Sequence, residues 1–317
     1  MAAELGRARY AYLGPAGTFT EAALRQVVSP DEADYLPQVD VLAAIAAVRA
    51  GTADFAVVAI ENSVEGGVTA VLDSLAVGEP LMILREMLVP VTFALAARPG
   101  TDLGAVRRIS AHPHAWAQCR GWLAQNLPGV VHVPATSNTA PAALLAGARE
   151  DLGFDAALVP PSAVEHYGLA VVAEHVSDNE AAVTRFVLIG RPGDVPAPSG
   201  ADKTTLVVHL PSNQAGALLE MLEQFATRGV NLSRIESRPI GDSLGRYSFS
   251  IDAEGHLADE RMAEALIGLH RVCPHVRYLG SYPRVDAPYG DMRPGTSDED
   301  FRSARAWVQS LREGRAT

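Results

Sequence analysis

Cysteine is nearly absent: Cys119 and Cys273 are the only two in 317 residues. They lie far apart and neither sits in a CxxC, so a disulfide framework or a zinc site is not expected. Basic residues are also in deficit, 26 against 37 acidic, for a formal charge of −11. Clustered Lys and Arg are missing, so no nucleic-acid partner is expected. A single recessed Arg can still hold a small anion on such a background. No run of about 18 apolar residues occurs, so no membrane helix is expected. The opening MAAELGRARYAYLG lacks a basic-then-apolar secretory pattern, which points to a cytoplasmic protein. There is no GxGxxG and no lysine-bearing phosphate loop, so no nucleotide is implied. What remains is 48% hydrophobic and 20% charged, a globular chain long enough for two or three domains.

The first 190 residues alternate short apolar runs with helical patterns. YAYL (10–13) and DFAVVAI (54–60) read as strands, with a helix over 39–51 between them. The stretch 81–97 reads as extended and broken near Pro90. RRISA, VVHVP and DAALVP are later strands, with helices at about 113–125, 138–149 and 160–166. This alternation predicts an α/β catalytic domain over 1–192, of two lobes with a cleft at strand ends. A proline-rich stretch then reads as a linker, 193–203. From 204 to 285 the order is βαββαβ, the ferredoxin-like α+β arrangement, whose sheet face is expected to pair with a copy of itself. Its first helix is expected to bury Leu218, Leu222 and Phe225 and to close at Gly229. The tail, 286–317, ends in a helix with Phe301, Ala304, Trp307, Val308 and Leu311 on an apolar stripe. That stripe is expected to pack against the body of the protein, with a role in subunit contact as the second reading.

Several stretches carry chemistry. GPAGTFTEAAL (14–24) is a loop opening onto a helix that Thr18 or Thr20 caps, leaving N–H groups suited to an anion. IENSVEGGV (60–68) puts Glu61, Asn62 and Ser63 at the end of an apolar strand, with two glycines behind them. Asn62 and Ser63 offer neutral donors and acceptors. AHPHAWAQC (111–119) spaces His112 and His114 at i and i+2, off a common helix face, so no metal site is expected there. Gln118 is placed to look into the cleft, and SNTAPAALLAG (137–147) reads as another capped helix start. DNEAAVTRFVLIG (178–190) sets the hydroxyl of Thr184 and the cation of Arg185 at the mouth of an apolar strand.

Taken in order, YLGPAGTFTEAAL, IENSVEGGVTAVLDSL, HPHAWAQC, YGLAVVAEHVSDN and TRFVLIG, followed by GALLEMLEQFATRGVNLSRIESRP, resemble prephenate dehydratase with a C-terminal ACT regulatory domain, over about residues 8–284. The resemblance implies a catalytic domain related in fold to periplasmic binding proteins. It implies conversion of prephenate to phenylpyruvate, CO2 and water in phenylalanine biosynthesis, with no metal or organic cofactor. It puts the TRF triplet on Thr184, Arg185 and Phe186, the cleft asparagine on Asn62 and the helix glutamine on Gln118. Many members have Ser-His-Pro-Gln where this chain has Ala111-His112-Pro113-His114, so that serine hydroxyl is dispensable here unless Ser110 supplies it.

The chemistry suits these residue types. A guanidinium binds carboxylate through two parallel hydrogen bonds, so Arg185 is expected on the side-chain carboxylate of the dianion. Thr184 is expected to donate to the leaving hydroxyl and Phe186 to exclude water. Thr18, Thr20, Ser63, Asn62 and Gln118 would orient the substrate. Glu61 reads as a structural hydrogen-bonding group or as a general acid. In the regulatory half, NQAGAL and NLSRIESRP resemble effector motifs and assign phenylalanine to Asn213, Gly216, Ala217, Leu218, Asn231, Glu236, Ser237 and Arg238. Period-2 alternation keeps Ser237 off the face of Glu236 and Arg238. Self-association through the ACT domain, as dimer or tetramer, is expected. Two other readings stay open, arogenate as the substrate and a non-catalytic binding or sensing protein.

Overall fold

The structure, a computed structural model, describes residues 6–64, 66–147, 151–211, 214–240, 247–285 and 293–315. The chain divides into two compact units. One holds the described residues up to Val71 together with Met87–Val187; the other holds Leu72–Glu86 and the chain from Leu188 onward.

The first sheet contains β1 (Arg9–Leu13), β2 (Asp34–Gln38), β3 (Phe55–Asn62), β4 (Gly66–Gly67), β5 (Met82–Pro90) and β11 (Val183–Gly190). Its order is β2-β1-β3-β11-β5, with β4 against β3, and β1 runs parallel to both of its neighbours. Helices α1 (Phe19–Arg25), α2 (Val41–Arg49) and α3 (Thr69–Ala76) connect its strands. The second sheet is built from β6 (Ala94–Ala97), β7 (Arg108–Ala111), β8 (Val131–Pro134), β9 (Ala156–Val159) and β10 (Ala170–Ala173), in the order β10-β6-β9-β7-β8. Around it lie α4 (Pro113–Gln118), α5 (Arg120–Asn126), α6 (Ala140–Gly147) and α7 (Pro161–Tyr167). All of β9 is buried, as a strand covered on both faces must be. The expected alternation therefore yields two α/β sheets, and the expected break near Pro90 separates β5 from β6.

The helix expected over 113–125 is two helices. Asp178 explains the break: its carboxylate accepts from the backbone N–H groups of Gly121 (2.7 Å) and Trp122 (2.8 Å), capping α5 from outside the helix. A Cβ on Gly121 would lie 2.8 Å from Asp178 Oδ1, so the residue facing this cap has to be small.

The second unit carries the βαββαβ order: β12 (Asp202–His209), α8 (Ala217–Ala226), β13 (Leu232–Pro239), β14 (Tyr247–Glu254), α9 (Glu260–Val272) and β15 (His275–Pro283). The sheet order is β13-β14-β12-β15 and every pairing is antiparallel. Leu206, Val208, Phe249 and Ile251 pack beneath Met221, Phe225 and Met262 of the helices. Leu218 is not part of that core; it is 40% exposed, because Ala217, Met221 and Phe225 form the buried stripe. β12 starts at Asp202, inside the expected linker, because Asp202 and Lys203 are buried, with the Lys203 ammonium 3.2 and 3.1 Å from the two Glu86 oxygens.

The face of this sheet away from α8 and α9 is covered within the unit. Thr205, Asp252 and Tyr282 on that face are fully buried, and Thr205 bonds to both of the others. Arg238 is paired with Asp73, and the Arg277 guanidinium donates to the carbonyls of Leu75, Val77 and Gly78. A final helix, α10 (Asp298–Arg312), follows, and none of its residues is buried. The tail helix is thus present, but its apolar stripe is not packed away. Among the described residues no helix is long and apolar enough to cross a membrane.

Candidate active site

The motifs around Asn62 and Thr184 come together residue by residue. Ser63 and Val183 exchange two hydrogen bonds: the Ser63 N–H donates to the Val183 carbonyl, and Ser63 Oγ accepts from the Val183 N–H, both at 2.9 Å. Next, Asn62 Nδ2 donates to Thr184 Oγ1 at 2.8 Å. Third, Arg185 Nε donates to Glu61 Oε2 at 3.1 Å. The orientation of the Asn62 amide is fixed independently, because its Oδ1 accepts from the Val64 N–H at 2.8 Å. A backbone N–H can only donate, so the oxygen must face Val64 and the NH2 must face Thr184.

Thr184 and Phe186 line a cavity of about 650 Å³, with Ala59 on the neighbouring strand β3. The loop after β1 and the start of α1 supply Gly14, Pro15, Thr18, Phe19 and Thr20; the second sheet supplies His112, Thr136, Ser137, Asn138 and Ala140. The site is therefore a cleft between the two sheets of one unit, at the ends of β1, β7 and β8, where an α/β architecture puts its ligands.

Arg185 is not among the lining residues. Strand neighbours alternate, so Thr184 and Phe186 point to one side of β11 and Arg185 to the other. It is 7% exposed and ion-paired with Glu61 there. Arg185, expected on the substrate carboxylate, is thus a buried cation paired with Glu61. Gln118 is also off the cavity; it ends α4, and its carbonyl accepts from the Asp178 N–H at 2.7 Å. Ser63 is used in the latch to Val183. Ser110 cannot stand in for the missing hydroxyl at Ala111. Ala111 packs in the core with Ile109, and the strand turns Ser110 to the opposite face.

The helix start after the glycine loop differs from expectation in one respect. Thr18 does cap α1, accepting from the Glu21 N–H at 3.2 Å. The neighbouring N–H, of Gly17, is taken at 2.6 Å by the Glu21 carboxylate, which is 5% exposed. The Glu21 carboxylate thus ties down the residue that precedes the cap. Thr20, 6% exposed, faces the cavity. The loop is clamped from the second lobe: Ser162 Oγ donates to the Gly17 carbonyl (2.8 Å) and the Tyr167 hydroxyl to that of Ala16 (3.3 Å). Gly17 has φ +85°, and a Cβ there would stand 2.8 Å from Ala163 Cα. Only glycine fits.

Sequence reasoning gave no role to His112, Ser137 or Asn138. His112 caps α4, its Nδ1 accepting from the His114 N–H at 3.3 Å, so the neutral ring carries its proton on Nε2. It is the only ionisable side chain among the described lining residues. Ser137 Oγ accepts from the Ala140 N–H at 3.0 Å, and Asn138 Oδ1 is buried without a hydrogen-bond partner. The SNTA capping signature after β8 was the available signal. Both thiols are held protonated: burial, with the Asp178 charge adding, pushes Cys119 up to about 12, and burial pushes Cys273 up to about 11.

Of the expected effector residues, Asn213 lies outside the described residues. Gly216, at φ +92°, caps α8, where Ala217 is buried. Ser237 pairs in register with Phe249, on the helix-covered face; Glu236 and Arg238 pair with Ser250 and Ser248, on the other. The strand therefore separates Arg238 from α8. The Asp73 carboxylate accepts two hydrogen bonds from Arg238, both 3.0 Å, and raises its pKa. Asn231 is exposed, and its carbonyl accepts from the Glu254 N–H at 2.8 Å.

The prephenate dehydratase family model matches residues 10–194, and the ACT domain model matches residues 204–271. A prephenate dehydratase of Amycolatopsis methanolica is 47% identical over 311 residues, 96% of this chain and 98% of the relative. The crystal structure of prephenate dehydratase in complex with L-Phe from Arthrobacter aurescens is 54% identical, with a TM-score of 0.91, covering 96% of this chain and 99% of that one. GqqA, described as a novel type of quorum quenching acylase, is 33% identical at a TM-score of 0.76, covering 87% of this chain and 97% of that one.

Proposed function

The chain belongs to the prephenate dehydratase family and is a hydro-lyase of phenylalanine biosynthesis; from that premise we propose how its own residues conduct the reaction. Prephenate loses its ring carboxylate as CO2 and its ring hydroxyl as water, and aromatisation drives both. The electrons freed by C–C cleavage enter the ring as the C–O bond breaks, so the protein has to stabilise a departing hydroxide.

Thr184 does this. Its oxygen accepts from Asn62 at 2.8 Å, so its single hydrogen remains for an acceptor in the cleft. That hydrogen bond is the observation that carries the proposal. It polarises the hydroxyl and aims its proton toward the leaving oxygen. The ring carboxylate lies against Phe186, Phe19 and Ala59, with no Lys or Arg among the described lining residues. Weak solvation of that carboxylate favours its loss, because its charge migrates away in the transition state. The side-chain carboxylate is held by neutral donors, Thr20 and Ser137, and by the Nε2–H of His112. Arg185 positions the wall: its pair with Glu61 fixes the register that presents Thr184.

Phenylalanine is the effector we assign to the ACT domain, since the Arthrobacter aurescens relative was solved with L-Phe. Self-association through that domain and a cytoplasmic setting complete the proposal. The test is phenylpyruvate release from prephenate by the wild type, Thr184→Val and Thr184→Ser. Valine should lower kcat by about 10²–10³-fold and serine should retain most of it. Equal activity in the valine variant would remove Thr184 from the mechanism. Activity with arogenate but not prephenate would change the substrate and leave the site intact.

A further inference from the structure

We propose that Asp73 is a positioning residue: through it the ACT sheet acts on the hydrogen bond between Asn62 and Thr184. The inference rests on phenylalanine being the effector of that sheet. Helix α3 starts at Thr69 in the first unit and ends at Ala76 in the second, so a displacement of its last turns reaches the first unit along the chain. Two strands of the ACT sheet grip those turns. Arg238 on β13 donates from Nε to Asp73 Oδ1 and from Nη2 to Asp73 Oδ2, both at 3.0 Å. Two parallel hydrogen bonds fix direction as well as distance. Arg277 on β15 holds the end of the helix, donating to the carbonyls of Leu75, Val77 and Gly78. β15 also passes β5 so closely that a Cβ on Gly280 would collide with the Ile83 carbonyl.

The strand that carries Arg238 makes this pair responsive. β13 lies at the edge of its sheet and is bonded to β14 along one side only. Alternation turns Ser237 toward the helix-covered face and Arg238, the next residue, toward Asp73. Adjacent residues of one strand thus serve the expected effector motif on one face and the grip on α3 on the other. Arg238, expected on the effector, is engaged with Asp73 instead. The side chains of the pair are 25% and 50% exposed, so it can break and re-form as β13 shifts; the Lys203–Glu86 pair, at 4% and 1%, cannot do so cheaply. From Asp73 the route runs back to Thr69 and on to β4. Gly67 and Gly66 of β4 pair with Glu61 and Asn62, and the Val68 N–H donates to the Ile60 carbonyl at 2.9 Å. Asn62 is the residue that donates to Thr184 Oγ1. The hydrogen bond that polarises the catalytic hydroxyl is therefore tied, through α3, to the strand of the effector motif.

Inhibition kinetics with prephenate and calorimetry with phenylalanine, both on the full chain, test this. Asp73→Ala puts a strong helix former on α3, so the fold and the turnover measured without phenylalanine should be retained. Phenylalanine should still bind this variant, but its effect on turnover should weaken: the coupling factor, ordinarily about 5–150, should fall by about threefold or more. Asp73→Glu restores the carboxylate and should recover most of the coupling. Asp73→Ala with Arg238→Ala should lose no more than Asp73→Ala alone, because the two side chains act as one contact. A pair that only held the fold together would move the melting midpoint and leave the coupling factor alone. Wild-type coupling in Asp73→Ala would overturn the proposal, as would no recovery in Asp73→Glu or a further loss in the double variant. A wild type that fails to bind phenylalanine, or binds it without a change in turnover, would remove the effector assignment and this proposal with it. That failure is seen in the wild type itself, the other only in the variants.

Discussion

Replacing Asn62 by aspartate tests the hydrogen-bond direction at the centre of the site. The two side chains are nearly isosteric, and the aspartate would keep the contact that Asn62 Oδ1 makes with the Val64 N–H at 2.8 Å. Its second oxygen cannot donate. At 2.8 Å from Thr184 Oγ1, the bond must reverse, with the threonine hydroxyl donating to the carboxylate. The hydrogen aimed at the leaving hydroxide is then withdrawn. A donor of this kind contributes about 2.7–4 kcal/mol, or about 10²–10³ in kcat. The loss should therefore match that of Thr184→Val, and the double variant should be scarcely worse than either single one. A double-mutant cycle on kcat, read as phenylpyruvate formed from prephenate, measures this, with coupling expected at the upper end of the about 0.5–3 kcal/mol seen for residues in contact. KM should move little, because the substrate is also held elsewhere in the cleft. Retention of kcat within about threefold, or full additivity of the two substitutions, would refute the reasoning.

Two further outcomes are expected. Gly17→Ala forces a Cβ into a φ of +85° and against Ala163 Cα, so it should cost about 1–3 kcal/mol in calorimetry and lower kcat with it; an unchanged midpoint would mean that the clamp on the loop is loose. The Asp300 carboxyl is held below its ordinary pKa, first by the Ser297 hydroxyl and then by the Ser297 N–H. A folded value below the unfolded one of about 3.9 gives stabilisation that is complete above that value and lost as pH falls through the folded pKa. The Ser297 amide should therefore lose hydrogen-exchange protection in that acid window, and constant protection through it would contradict the capping box.

Periodicity made the strands and the βαββαβ order legible, because buried strands and amphipathic helices carry their pattern locally. What was not legible depends on partners distant in the chain. Nothing near Cys119 announces that Asp178 will cap a second helix there. Lys203 looked like the end of a linker because its partner, Glu86, is 117 residues away. Arg185 is the instructive case. Alternation along VTRFVLIG was readable, and it requires Thr184 and Arg185 to face opposite sides of one strand. The pairs Asn62–Thr184 and Glu61–Arg185 follow that alternation. His112 was set aside because its spacing to His114 is wrong for a metal. The same spacing suits a helix cap, which needs one residue at the end of β7.

The latch between residues 61–63 and 183–185 has a kinetic consequence. The Asn62–Thr184 bond spans 122 residues, and the whole second sheet lies within that loop. Closing so long a loop is entropically late, since contacts of high sequence separation form only after the intervening chain has collapsed. A chain that has built the first three strands has the asparagine but no threonine beside it. Return of activity during refolding should thus trail the return of helical signal, making turnover a reporter of the final docking of β11.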